Sequence, residues 1–132
     1  MRRDSEHRLS LTRRMRVCER LLNRLFPLTP ANAIHWSHCV NLDTMSVEFT
    51  ETCPLSQITG SATFADACRK VRMKPGDVIW QHAGLMRYNF RNELWTWHTD
   101  WERREINALN TALHTLFLEK RAMHPLPKNA AA

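Results

Sequence analysis

Four arginines near the amino end are spaced so that they could bind phosphate groups together. Arg13, Arg16, Arg20 and Arg24 follow one another at intervals of three, four and four residues. On a helix that advances about 100° per residue, the other three fall within about 60° of Arg13. A guanidinium group is planar and donates paired hydrogen bonds to phosphate or carboxylate oxygens. This row, which we call the arginine stripe, predicts a surface that contacts an anionic partner.

The residues between these arginines predict an amphipathic helix over residues 9–26. Apolar side chains gather on the face opposite the stripe: Leu11, Met15, Cys18, Leu22, Leu25 and Phe26. Pro27 and Pro30 end the pattern. One face of the helix should therefore pack on a core while the stripe faces solvent. The apolar face is also long enough to suggest a homodimer through this helix.

Basic charge is concentrated in two parts of the chain. Residues 1–30 contain eight arginines and three acidic residues, which accounts for +5 of the formal net charge of +6. A second basic run contains no acidic residue: Arg69, Lys70, Arg72 and Lys74. This asymmetry favours nucleic acid or an acidic protein surface as the partner. We set a membrane surface aside because the first helix lacks tryptophan and is needed for the core.

The sequence lacks the common motifs of enzymes and metal sites. The chain has only three glycines, so it contains neither a P-loop nor a dinucleotide-binding motif. Zinc-ligand residue types occur at His35, His38, Cys39 and Cys53, but not in pairs at the spacing of zinc modules. The pairs His98–Asp100 and Cys39–His35 are of a kind that arises by chance in chains of this length. The sequence therefore predicts a non-enzymatic protein without catalytic residues, metal or cofactor.

The order of the other patterned segments predicts an α+β fold. Apolar and polar residues alternate over residues 45–50, which is typical of a half-buried strand. Ser61 could cap a helix over residues 61–73 that buries Phe64, Cys68 and Val71. Thr99 and Glu102 match a capping box that opens a last helix, which runs to about residue 123. We expect the N- and C-terminal amphipathic helices to pack on a small antiparallel β-hairpin or meander.

The hairpin is predicted over residues 85–98, with its turn at Arg91 and Asn92. In that register one face is apolar and aromatic and comprises Met86, Tyr88, Phe90, Trp95 and Trp97. This face could be a stacking platform for single-stranded bases. Because both long helices need an apolar layer to cover, we favour the interpretation that it belongs to the core. Arg87 would then lie on the other face and Arg91 near the tip.

Residues 75–83 decide between two architectures. As a strand they complete a meander, whereas as a helix they give an element order that resembles a winged helix-turn-helix, with Arg87 and Arg91 on the wing. That resemblance rests on element order over about 40 residues and on no recognition-helix motif. Gly76 and the β-branched pair Val78 and Ile79 favour the strand.

Length and composition predict one domain over residues 9–123, a flexible basic N-terminus over 1–8 and a flexible C-terminal tail over 124–132. The polar start and the lack of a long apolar run predict a cytoplasmic protein. Its four cysteines should then be reduced thiols, with Cys18 and Cys68 buried as small apolar residues.

These observations predict a small basic accessory or regulatory protein that contacts the phosphate backbone of DNA or RNA. The alternative is an adaptor or inhibitor that docks on an acidic surface of a protein machine that handles nucleic acid. The predicted contact residues are Arg13, Arg16, Arg20, Arg24, Arg69, Lys70, Arg72, Lys74, Arg87 and Arg91. Such contacts supply affinity and position but little base specificity.

Overall fold

A computed structural model describes residues 10–85 and 100–127, including the side chains of 104–127 in the second range. Its helices are α1 (Leu11–Leu25), a 3₁₀ helix (Trp36–His38), α2 (Pro54–Thr59), α3 (Phe64–Lys70), α4 (Ile79–His82) and α5 (Asp100–Met123). These two ranges contain no strand or sheet, apart from an isolated bridge between Thr29 and Asn32. The predicted α+β fold is therefore wrong: the described part of the protein is helical.

The first helix forms as its sequence pattern predicts. The Ser10 hydroxyl accepts a hydrogen bond from the Arg13 amide at 3.2 Å, which satisfies one of the free donors at the helix start. Cys18 and Leu22 are fully buried, and α1 packs against α4 and α5. The middle of the apolar face of α1 is thus covered within one chain, whereas Leu11 is 40% exposed and Met15, Leu25 and Phe26 are half-buried. A dimer through this helix stays a prediction.

The last helix supplies the longest face of the core. Its stripe of Ile106, Leu109, Leu113, Leu116 and Phe117 is buried, as predicted. The edge of the Trp36 ring contacts Phe117, with ring centroids 5.0 Å apart and planes at 74°. The Trp36 indole nitrogen donates to the Asn23 side chain at 2.9 Å. The 3₁₀ helix therefore connects α1 and α5.

Residues 45–50 form turns and not the predicted strand. Met45 and Val47 are buried, but Phe49 is 52% exposed. The Val47 amide donates to the Asn110 side chain of α5 at 2.9 Å, so its backbone donor needs no partner strand. Met45 and Val47 are buried on the side that faces α5. Burial on one side gives the same alternation of apolar and polar residues as a half-buried strand.

Residues 79–82 are helical, so the strand predicted within residues 75–83 and the meander that it would complete are wrong. The Asp77 carboxylate accepts from the Ile79 amide at 3.0 Å and starts the turn. Trp80 is buried edge-on against Phe64, with ring centroids 5.4 Å apart. This local capping outweighs the preference of Val78 and Ile79 for strands. Apart from Leu85, the predicted hairpin over 85–98 lies outside the described residues, as does its aromatic face.

The helix predicted over residues 61–73 is shorter in the structure and corresponds to α3, while α2 is a further helix that the sequence did not predict. Pro54 occupies the first turn of α2, where a missing amide hydrogen costs nothing. Thr63, not Ser61, caps α3: its hydroxyl accepts from the Asp66 amide at 3.1 Å. The predicted inner face is confirmed for Phe64 and Cys68, which are both buried.

The cysteines are free thiols in very different environments. Cys18, Cys53 and Cys68 are buried, while Cys39 is exposed. Burial raises the pKa of Cys68 to about 12, so its thiol stays protonated. The predicted core positions of Cys18 and Cys68 are confirmed. In the described ranges, no helix is long and apolar enough to cross a membrane.

Candidate anion-binding surface

The arginine stripe lies on the solvent side of α1. Arg13, Arg16, Arg20 and Arg24 are all exposed, and they extend over about 16 Å of the helix axis. Within residues 10–85 and 104–127, none of these four guanidinium groups forms an ion pair. On the opposite side of α1, Cys18 and Leu22 pack in the core, so the helix directs these charges to solvent.

The acidic residue of α1 is directed away from the stripe. The Glu19 carboxylate lies 2.6 Å from the Lys120 ammonium nitrogen of α5, an ion pair that is partly shielded from solvent. Glu19 therefore compensates a charge on α5. The stripe keeps its positive field for a partner in solution.

A cleft of about 480 Å³ continues this surface at the carboxyl end of α1. We call it the α1/α3 cleft because it lies between the ends of these two helices. Its lining residues are basic (Arg24, Lys70, Arg72), apolar (Leu25, Phe26, Val71) or hydroxylic (Thr59). The cleft thus brings the last arginine of the stripe together with two members of the second basic run.

Arg72 reaches the cleft from an unusual backbone conformation. Its φ of 62° lies in the left-handed region, which side chains other than glycine rarely adopt. The Arg72 amide donates to the Arg69 carbonyl at 3.1 Å, and the Met73 amide donates to the Cys68 carbonyl at 2.9 Å. This pair of bonds is the Schellman motif, whose left-handed position is usually a glycine.

The rest of the second basic run is divided between local contacts and solvent. The Lys70 ammonium group donates to the Thr59 carbonyl at 3.1 Å and so caps the end of α2. Arg69 pairs with Asp66 one turn earlier in α3. Lys74 is exposed and does not line the cleft. Arg87 and Arg91 lie outside the described residues.

Arg14 is a buried arginine whose structural role we did not predict. It is 5% exposed, and its Nε and Nη2 atoms donate to the Gln81 carbonyl at 3.1 and 2.8 Å. Its Nη1 atom lies 3.7 Å from the Glu105 carboxylate. Arg14 therefore connects α1 with α4 and α5. Its position about 100° from Arg13, at the edge of the apolar face, is the signal in the sequence.

A second group that we did not predict holds the carboxyl end of α5. The His35 and His124 rings stack in parallel with centroids 4.0 Å apart, and His38 Nε2 donates to the His124 carbonyl at 2.7 Å. Arg121 donates to the Ser37 carbonyl at 2.7 Å and also to the Val40 carbonyl. Burial, with the stacked His124, lowers the pKa of His35 to about 4. This group attaches α5 to the 3₁₀ helix.

The zinc-ligand residue types are accordingly occupied by other contacts. The Cys53 thiol donates to the Ser56 hydroxyl at 3.2 Å, and the Cys39 thiol lies 3.9 Å from the His35 carbonyl oxygen. In the part of the chain that the structure describes, no three His, Cys, Asp or Glu side chains lie close enough to hold a metal ion.

The stripe and the cleft form one candidate surface, suited to a ligand that carries several negative charges. Exposed guanidinium groups can bind phosphate oxygens, and the apolar lining of the cleft can contact one face of a planar group. No protein family, curated protein or solved structure matches this chain.

Proposed function

We propose that this protein binds nucleic acid as a non-enzymatic accessory or regulatory protein, with the arginine stripe as the phosphate contact. The observation that supports this proposal is the set of four exposed guanidinium groups on one face of a helix that packs in the core. They form no ion pair with the described residues, so binding a polyanion breaks no such pair.

Such a surface derives affinity from charge. Phosphates that bind arginine release their condensed counterions, and this makes the affinity strongly dependent on salt. Backbone contacts also orient the protein along the strand, but they read no base sequence. The same proposal places the protein in the cytoplasm, where nucleic acid is present and the four free thiols stay reduced.

The test measures binding of random-sequence DNA and RNA by fluorescence anisotropy between about 50 and 200 mM salt. The double variant Arg16→Ala/Arg20→Ala should lower the affinity and reduce the slope of log affinity against log salt by about 1.8 for duplex DNA. Arg104→Ala removes an exposed arginine from α5 and serves as the control. Affinity that is indifferent to both salt and the double substitution would contradict the proposal.

A pull-down from nuclease-treated extract separates this proposal from docking on a protein. Loss of all partners after nuclease treatment supports nucleic acid as the ligand. A partner that persists and depends on Arg16 and Arg20 would instead assign the stripe to an acidic protein surface.

A further inference from the structure

The fold does not explain why an arginine occupies the left-handed position 72. Two other helices end in the same hydrogen-bond pattern, and each has a glycine at the left-handed position, namely Gly60 after α2 and Gly84 after α4. Within the described residues, the Arg72 guanidinium forms no hydrogen bond or ion pair that would favour arginine there. A strained residue without a structural reason is a candidate for binding.

The surroundings of Arg72 indicate what it could bind. It lines the α1/α3 cleft together with Arg24, the last member of the arginine stripe. Lys70 is held against the Thr59 carbonyl, so it offsets the negative end of α2 and leaves the two arginines for a ligand. Phe26 and Val71 supply a half-buried apolar wall.

A nucleotide has the chemistry that matches this lining. Its phosphate needs cationic donors, while its base has a flat, weakly hydrated face that stacks on aromatic and apolar groups. The volume of about 480 Å³ lies within the usual range of small-molecule pockets. A base inside a duplex is paired and stacked and cannot enter such a cleft without being extruded.

We infer that the α1/α3 cleft binds one unpaired nucleotide of a strand whose backbone follows the arginine stripe. Arg24 and Arg72 bind the phosphate, and the base packs against Phe26 and Val71. This inference rests on the proposed function and adds to it a preference for single-stranded nucleic acid or for strand ends.

The test compares a single-stranded oligonucleotide with a blunt duplex of the same length, at one salt concentration. Arg72→Gly places the favoured residue at the left-handed position, so the variant should fold and its melting temperature should rise by about 2 to 4 °C. Its affinity for the single strand should fall about tenfold, since a charge-assisted phosphate contact is lost. Its affinity for the duplex should change no more than that of the Arg104→Ala control.

A second variant tests the apolar wall. Phe26→Leu keeps an apolar side chain but removes the aromatic face, and it should weaken single-strand binding by about fivefold or more without altering the salt slope. Single-strand affinity that is unchanged in both variants would overturn the inference. Equal losses for single strand and duplex would also overturn it, because the cleft would then be a general phosphate contact.

The two proposals fail in different ways. If the wild-type protein binds DNA through Arg16 and Arg20 but both cleft variants bind like wild type, only the cleft inference is wrong. If the wild-type protein binds neither single strand nor duplex, the proposed function is wrong and the cleft inference falls with it.

Discussion

Among the helices that the structure describes, three end in the same hydrogen-bond pattern, but one of them has a different residue at the left-handed position. After α2 the Ser61 amide donates to the Ser56 carbonyl at 2.8 Å, and after α4 the Leu85 amide donates to the Trp80 carbonyl at 3.0 Å. Gly60 and Gly84 occupy the left-handed positions there, whereas Arg72 occupies the corresponding position after α3. The backbone requirement is thus shared, and the arginine is a departure that lies in the candidate binding surface.

The end of α5 is held instead by side chains. At the end of α5, His38 donates to the His124 carbonyl and Arg121 donates to the Ser37 carbonyl. The same end includes the buried His35 ring, whose pKa is lowered to about 4 by burial and by the stacked His124, so this end responds to pH whereas the three backbone motifs do not. Substitutions at the three left-handed positions and a change of pH therefore probe the four ends separately.

Gly84→Ala should have the largest effect. A Cβ at this position would lie 3.0 Å from Leu109 Cδ2 and 3.2 Å from Met15 Cε, in addition to adopting a left-handed backbone. We expect the free energy of unfolding to fall by about 2–4 kcal/mol, as urea denaturation would measure. A loss of stability below about 1 kcal/mol would mean that the Leu109 and Met15 side chains move aside at little cost.

Acid should weaken the contacts at the carboxyl end of α5 and lower the stability of the protein. Burial and the nearby His124, His38 and Lys120 lower the pKa of His35 from 6.5 to about 4, against the opposing effect of Glu19. Between these two pH values His35 is protonated in the unfolded chain but not in the folded protein. The free energy of unfolding should therefore fall as the pH drops from about 6.5 to about 4. The contribution of His35 is at most about 1.4 kcal/mol per pH unit in that window.

His35→Gln should flatten this dependence, which denaturation at a series of pH values can measure. Cys39→Ser, a change at an exposed neighbour, is the control and should leave the slope as it is. An unchanged slope in the His35 variant would show that another group takes up the proton.

Gly60→Ala isolates the conformational cost of the left-handed position. No atom lies within 4 Å of a Cβ built there, so only the backbone is affected. Stability should fall by about 1–1.5 kcal/mol, clearly less than for Gly84→Ala. An equal loss of stability in the two variants would show that the contacts around Gly84 add nothing to the cost of the left-handed backbone.

Arg72→Gly should have the smallest effect and the opposite sign. Relief of the left-handed strain should raise the free energy of unfolding by about 0.5–1 kcal/mol, measured in the same urea experiments. Arg72→Lys keeps the strain and the charge and should leave stability near that of the wild type. A destabilised Arg72→Gly protein would indicate that the arginine side chain supports the fold.

Helical periodicity predicted the parts of the fold that are determined within single elements. The core positions that the structure confirms in α1, α3 and α5 follow from residue spacing alone, because the partner of an apolar stripe does not alter its period. The predicted strand at 45–50 was wrong because one-sided burial against α5 produces the same alternation as a sheet. At 79–82, the side-chain cap from Asp77 and the left-handed Gly84 outweighed the β-branched pair.

The amino-acid sequence by itself determined that the stripe arginines share one face of a helix, since a helix converts spacing directly into direction. Only the tertiary structure decided that the neighbours Arg13 and Arg14 have opposite surroundings. Arg13 is exposed to solvent, whereas Arg14 is buried and contacts the Gln81 carbonyl and Glu105. The tertiary structure also decided that Arg24 and Arg72 line the same cleft. Residues so far apart in the chain meet through packing between helices, which the local pattern of neither helix encodes.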